Sequence, residues 1–358
     1  MTIEERLKLI RSVGEEIVTE KELTKLLEEK KNYIAYDGFE PSGQIHIAQG
    51  ILRAINVNKM IKSGATFNML VADWHAWANN KLGGNLEHIQ TTGKYLIEVW
   101  RLTGMDLQKI KFNWVSDFIQ DEEYWKKVMQ IARNSTLKRI IRTAQIMGRS
   151  ESDSFQASQI LYPCLQCADI FYQDVDVCQL GMDQRKVNML AREIGPKLFN
   201  RKPIVVSHHM VLGLAVPKNH YESLEEKIMD LKMSKSNPDA AIFMTDTDDQ
   251  IKKKINKAYC PEGIIEGNPI LEYTRYFLFE YKNELKIERP SKFGGDILFN
   301  SYAEIEDAFL KKEIHPKDLK NAVTQGLNEL IDPVRKAFDS NSRLSELRDQ
   351  VMSFTVTR

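Results

Sequence analysis

What the chain has little of narrows it first. Its 358 residues hold only 4 cysteines, which make no disulfide framework, so a reducing cytoplasm is the expected setting. Cys164 and Cys167 form a lone C-x-x-C with no second pair. Cys178 and Cys260 have no ligand spacing, so the thiols read as small buried hydrophobes rather than zinc or redox groups. Charge of one sign is not in excess either. Fifty Lys+Arg balance 50 Asp+Glu, so no overall field draws the chain to nucleic acid or membrane, and a polyanion must be met by local patches. No apolar run approaches the length that spans a bilayer. The charged, helix-prone opening Met1-Thr2-Ile3-Glu4-Glu5-Arg6 is not expected to be a secretory signal or transit peptide. There is no internal repeat and no low-complexity tail. What is present is a globular composition, 42% hydrophobic and 28% charged, long enough for two domains and a large core.

The most informative stretch is Tyr36 to Gly50, Y-D-G-F-E-P-S-G-Q-I-H-I-A-Q-G. The preceding Asn32 to Tyr36 is short, apolar and β-prone, and predicts a buried strand. Glu40-Pro41-Ser42-Gly43 predicts a turn, with Gly43 able to take positive φ. Apolar spacing over 45–62 then predicts a helix that stops at Ser63-Gly64. A strand, a glycine turn and a helix N-terminus aim free N–H groups at an anion, with His46 in the first turn. A plain strand–turn–helix joint with a structural histidine competes with this reading. Thr66 to Asp73 predicts a second strand, so the two form a βαβ unit of a parallel sheet, with Asp73 and His75 at the ligand-binding edge. A third strand is expected over 109–115 and a long helical stretch over 121–147. Arg149 to Ser154 is expected to be a polar loop. Residues 1–31 read as an amphipathic helical segment with a break near Thr19.

Ser158 to Tyr172 predicts a helix starting near Tyr162, with Pro163 in its first turn. Tyr162, Gln166 and Asp169 fall at i, i+4 and i+7 on one stripe. The helix is apolar around most of its circumference and therefore buried, so this polar stripe needs either core partners or a polar ligand. A strand over 175–180 and a helix from Arg185 repeat the strand–turn–helix logic, with Asp183 or Gln184 at a ligand-facing helix start. Lys232-Met233-Ser234-Lys235-Ser236 places ammonium groups beside hydroxyls, a composition suited to pyrophosphate. From about Pro238 onward the sequence turns helical.

Gly38 to Gly43 with His46 to Gln49, and later Lys232 to Ser236, resemble the two signatures of class I aminoacyl-tRNA synthetases. Tyr162, Gln166, Asp169 and Gly181-Met182-Asp183-Gln184 resemble the tyrosyl enzymes of the archaeal and eukaryotic type, as do Lys292-Phe293-Gly294-Gly295-Asp296 and His315 to Lys320. The resemblance runs from Tyr33 onward. It implies a Rossmann-like α/β catalytic domain over 32–237, with a helical insertion at about 117–155 available for dimer contacts, and an α-helical anticodon-binding domain over 238–358. It implies that Tyr36 and Asp169 hold a tyrosine phenol, and that Tyr162, Gln166 and Gln184 hold its amino group. His46, Gln49, Lys232 and Lys235 are implied as catalytic. Gly38, Gly43, Asp183 and Ser234 would join His46, Lys232 and Lys235 in binding ATP. Phe293 and Asp318 would read the first anticodon base. The implied partners are L-tyrosine, ATP with Mg2+, tRNA(Tyr) and a second copy of the chain, with no tightly bound cofactor, no protein-held metal and no membrane. One departure is plain: the usual His-x-Gly-His reads His46-Ile47-Ala48-Gln49, and Gln49 carries no charge. A tryptophanyl enzyme, a small-molecule adenylyltransferase and a catalytically silent tRNA-binding paralogue are the alternatives.

Overall fold

The structure, a computed structural model, describes residues 1–147, 154–218, 220, 227, 230–235 and 237–356. Most of the polar loop expected at 149–154, and Ser236, lie outside the described residues.

Six strands build one sheet: β1 Gly14–Val18, β2 Tyr33–Phe39, β3 Ala65–Val71, β4 Ile110–Trp114, β5 Val177–Gly181 and β6 Ile204–His208. Their order is β1-β6-β5-β2-β3-β4. β2 through β6 run parallel, and β1 is antiparallel to β6. The chain moves outward from β2 to β4 and then returns to β5 on the other side. The strand order therefore reverses between β2 and β5, the place where ligands bind in open parallel sheets. The near-continuous apolar runs of β2, β3 and β5 are what a sheet covered on both faces requires. One apolar cluster covers the face that includes Ala35, Phe67 and Val206; a second covers the face that includes Tyr36, Leu70 and Leu180.

Two local expectations are corrected. Residues 1–31 are not simply helical, because Gly14–Val18 forms β1 at the sheet edge between helices Ile3–Arg11 and Glu20–Glu29. The β-branched pair Ile17-Val18 favours extension, and the charged Glu15 and Glu16 suit an edge strand. Thr19 does cap the following helix, accepting from the Glu22 N–H at 3.2 Å. The second correction concerns Pro163, which does not open its helix. The helix spans Ala157–Tyr172, with Gln156 and Gln159 forming a reciprocal cap ahead of the proline.

The C-terminal part holds helices Asp248–Lys257, Tyr302–Leu310, Pro316–Ser340 and Ser342–Ser353, and the ribbon β7 Leu285–Ile287 with β8 Ile297–Phe299. It shares a core with the sheet: Ile251, Phe277 and Ile331 belong to the same apolar cluster as Ala35 and Val57. Main-chain bonds join the two parts as well. The Ile47 N–H donates to the Ile242 carbonyl and the Met244 N–H to the Ile45 carbonyl, each at 2.9 Å.

His209 is a further link. Its ring lies 3.0 Å from Glu15 in β1 and 3.2 Å from Glu272 in helix Pro269–Tyr273, and stacks on Tyr276. Burial opposes its charge, but the two carboxylates outweigh it and lift the imidazole to about 9. A group raised on folding stabilises fully below its unfolded value near 6.5 and loses that contribution as pH rises through the folded value. Denaturant unfolding should therefore show stability falling by on the order of 2 kcal/mol between those values, with a flatter profile in His209→Gln.

Candidate active site

A cavity of about 960 Å³ opens beyond the carboxyl ends of β2 and β5. One end is built by the buried helix Ala157–Tyr172. Tyr162, Gln166 and Asp169 are all buried and all line the cavity, as does Tyr36 from β2. Asp169 is 0% exposed. Its Oδ1 accepts a hydrogen bond from the Tyr124 hydroxyl at 2.9 Å, and its Oδ2 lies 2.9 Å from Nε2 of His75. The His75 contact is an ion-pair approach rather than an aligned hydrogen bond. Burial opposes charging of His75, but Asp169 outweighs it and holds the imidazole above its ordinary value. Burial and then the Asp169 charge push the Tyr36 phenol well above the usual range, so its hydroxyl stays neutral and able to donate. Gly38 is on the same face two residues on. A Cβ there would fall 2.9 Å from the Tyr36 hydroxyl, so the missing side chain first of all keeps that oxygen clear.

At the middle of the cavity, Gln166 donates to Gln184 at 3.2 Å, and Gln184 donates to the Ile146 carbonyl at 3.2 Å. Burial, then Glu40, raises the Tyr162 phenol, and Asn79 in turn donates to Glu40 at 3.1 Å.

The other end is cationic. Gly43 has φ +115°, so the turn needs a residue without a Cβ. The next turn is a π-helical one, Ala48–Leu52, a geometry that clusters at functional sites. His46 is pressed well below its ordinary value by burial, then by Lys235, Arg53 and Lys232. Its Nδ1 faces the Gln49 N–H at 3.4 Å, which leaves the proton on Nε2. The histidine is thus a neutral donor. The side-chain oxygen of Gln49 is buried without a hydrogen-bond partner. Lys235 donates to the Ser42 hydroxyl at 3.2 Å, while Lys232 donates to Asp183 at 2.7 Å. Burial raises Asp183, but Lys232 outweighs it and keeps the carboxyl below its usual range. Ser234 lines the same cavity. Apart from Gly43, the candidate residues of two signatures and one helix thus meet around a single space.

A sequence profile described as tRNA synthetases class I (W and Y) matches residues 28–332. Tyrosine–tRNA ligase 1, cytoplasmic, of Arabidopsis thaliana is 46% identical over 99% of this chain and 90% of its own. The tyrosine–tRNA ligase of Sulfolobus acidocaldarius is 41% identical over 97% of each chain. The solved structure of tyrosyl-tRNA synthetase from Pyrococcus horikoshii, complexed with L-tyrosine, superposes with a TM-score of 0.91 at 36% identity, covering 98% of this chain and 100% of that one. The chain belongs to the class I tyrosyl-tRNA synthetases.

For a synthetase of this family, Phe293 and Asp318 lie far along the chain from the cavity residues, and neither lines the cavity. Phe293 is 61% exposed on the turn Ser291–Phe293, with the Lys292 ammonium 4.9 Å from its ring centroid. Asp318 sits in the first turn of helix Pro316–Ser340, whose cap is His315. Arg289 ties the two loops together, donating to the carbonyls of Gly295 at 3.0 Å and Glu313 at 2.8 Å. Sequence reasoning missed Glu40, Asp37 and Arg53 at the cavity, Tyr124 as a partner of Asp169, and the contact between His75 and Asp169. For Asp37 the signal was available: a charged residue in an otherwise apolar strand calls for a partner.

Lys235 gives this synthetase a pH signature. Burial, then Lys81 and Arg53, lowers its ammonium to about 7. A triphosphate would raise it again, so binding takes up a proton. ATP affinity is expected to be full below pH 7 and to weaken as pH rises above it. Calorimetric titration of ATP between about pH 6 and 9 checks this, and Lys235→Arg, which stays charged, should flatten the profile.

Proposed function

We propose that this chain activates L-tyrosine with ATP to tyrosyl-adenylate and transfers the tyrosyl group to the 3′ end of tRNA(Tyr). The observation that carries the reading is the fully buried Asp169 in the same cavity wall as the Tyr36 phenol. The carboxylate accepts from the substrate hydroxyl and Tyr36 donates to it. Tyr124 and His75 fix Asp169, so it cannot turn away when an apolar ring enters. Tyr162, Gln166 and Gln184 hold the amino group. The tyrosine carboxylate then lies toward the cationic end, where ATP places its α-phosphate.

The carboxylate oxygen attacks that phosphorus in line, and pyrophosphate leaves. No protein nucleophile takes part, so the chain contributes position and charge. His46 donates from Nε2 to a phosphate oxygen. Gln49 donates as a neutral group. Lys232 and Lys235, with Ser234 between them, meet the departing pyrophosphate, and Asp183, released by Lys232, accepts from ribose hydroxyls. Among the described residues no group of three His, Cys, Asp or Glu side chains gathers to hold a metal. Mg2+ enters with the nucleotide, bound mainly through its phosphates and water. In the second step a ribose hydroxyl of the tRNA attacks the tyrosyl carbonyl and AMP leaves. Phe293 stacks on the first anticodon base and Asp318 accepts from its edge.

The chain works as a cytoplasmic homodimer. Support for the contact comes from Trp125, Met129 and Leu137, exposed on helices Glu122–Arg133 and Leu137–Thr143 of the segment between β4 and β5. No helix among the described residues is long and apolar enough to cross a membrane.

Tyrosine-dependent ATP–pyrophosphate exchange tests the activity. Exchange with tryptophan alone, or with no amino acid, would sink it. Asp169→Ala is expected to cost tyrosine, relative to phenylalanine, about 2–4 kcal/mol in kcat/KM, the cost of a lost buried polar contact to a charged group. Equal losses for both amino acids would make Asp169 structural. Phe293→Ala should reduce tRNA charging roughly tenfold, about the size of one lost base stack, with exchange, which needs no tRNA, running at its usual rate.

A further inference from the structure

The helix after the signature turn carries a cation that the roles above leave unused. Arg53 opens helix Arg53–Lys62, four positions after Gln49 and seven after His46. All three line the same cavity. The Arg53 Nε lies 2.9 Å from Oδ2 of Asp37 in β2. Its guanidinium carbon is 5.9 Å from the Phe39 ring centroid and 5.7 Å from that of Trp100. A carboxylate and two aromatic rings thus fix it from three sides. The side chains of Arg53 and Asp37 are only 14% and 1% exposed, and both line the cavity.

A buried pair like this is weak support for stability, because desolvation offsets most of the attraction. Here burial lifts Asp37 to about 6 even with Arg53 beside it, so ionising the pair opposes folding. What the pair provides is a guanidinium held at the cavity wall. It stands within electrostatic reach of His46, Lys235 and His208, which line the same cavity, since its charge helps to depress all three. Among the described residues Arg53 makes no hydrogen bond through its terminal Nη groups, which leaves that fork for an anion.

We propose that Arg53 is a further nucleotide-binding and catalytic residue, its Nη groups contacting ATP phosphate oxygens and supplying, one turn later, the positive charge that Gln49 lacks. Asp37 is its positioning residue. The inference rests on the ATP-dependent reading of the site.

The test measures ATP affinity by calorimetry with Mg2+, beside tyrosine affinity and exchange kinetics, in the full chain. Arg53→Gln is expected to weaken ATP binding roughly 10- to 100-fold, the range for a lost charge-assisted hydrogen bond, with tyrosine affinity within about twofold. Adding Gln49→His to that variant is expected to recover part of the loss near pH 6, where a histidine at that position of the cavity wall can be charged. Unchanged ATP affinity in Arg53→Gln overturns the proposal. So does a parallel loss of ATP and tyrosine binding with no recovery in the double variant, the signature of a structural pair. Should Arg53→Gln fail to fold, Arg53→Lys and Arg53→His carry the test: ATP affinity is expected to fall more in the histidine variant at pH 8 than at pH 6, and a pH-independent ratio between them overturns the proposal. Arg53-dependent ATP binding in a protein without exchange activity would sink the ligase reading and leave this one standing. Exchange with Arg53-independent ATP binding would do the reverse.

Discussion

One fully buried carboxylate sets the terms for the rest of the catalytic part. Leaving Asp169 unpaired in that interior would cost several kcal/mol, so the fold brings it two partners from separate elements. Tyr124 comes from helix Glu122–Arg133 and His75 from helix Asp73–Ala78. Each must be placed to within a few tenths of an ångström for a contact of 2.9 Å to form. The segment between β4 and β5 and the turn after β3 are therefore both pinned to the helix that carries the acid. The His75 ring also meets the edge of the Tyr162 ring at 5.2 Å, so the grip on the carboxylate extends to the next polar residue on the same stripe. Selectivity for a hydroxyl and rigidity of the pocket have one physical origin.

The two ends of the cavity differ in how they treat charge. At the phenol end an acid is neutralised locally and the surrounding phenols stay protonated. At the other end several cations are buried together with few acids, and burial first, then their mutual repulsion, depresses them: His46 is neutral and Lys235 is lowered to about 7. Such a cluster is strained until an anion arrives. Lys232 is paired with Asp183 at 2.7 Å, and under the proposed function the nucleotide exchanges that internal contact for its own.

Much of this was legible in the chain because it depends on local pattern. Apolar runs separated by a glycine turn gave the parallel sheet. The spacing of Tyr162, Gln166 and Asp169 put three polar groups on one stripe whether the helix began at Ala157 or at Tyr162. What escaped was what depends on long-range pairing. β1 becomes a strand because β6, far along the chain, offers it an edge on which Gly14 pairs with His208 and Val18 with Val205; local helical tendency is the weaker influence. Tyr124 sits on an amphipathic helix where its spacing reads as ordinary packing. Only the fold shows that its hydroxyl ends on Asp169, 45 positions away. Arg53 looks like a solvent-facing helix residue until Asp37 is seen beneath it.

The stitching of Ile45 and Ile47 to Ile242 and Met244 makes the signature turn part of two bodies at once. Met244 also packs where a Cβ on Gly50 would approach its side chain to 2.8 Å, so no slack separates the signature helix from this segment. Cutting the polypeptide at residue 237 to isolate a minimal sheet domain would strip the turn of its main-chain partners and open its packing to water. A fragment made that way would keep the residues proposed to recognise an aromatic amino acid but lose the scaffold that aligns the proposed adenylation chemistry.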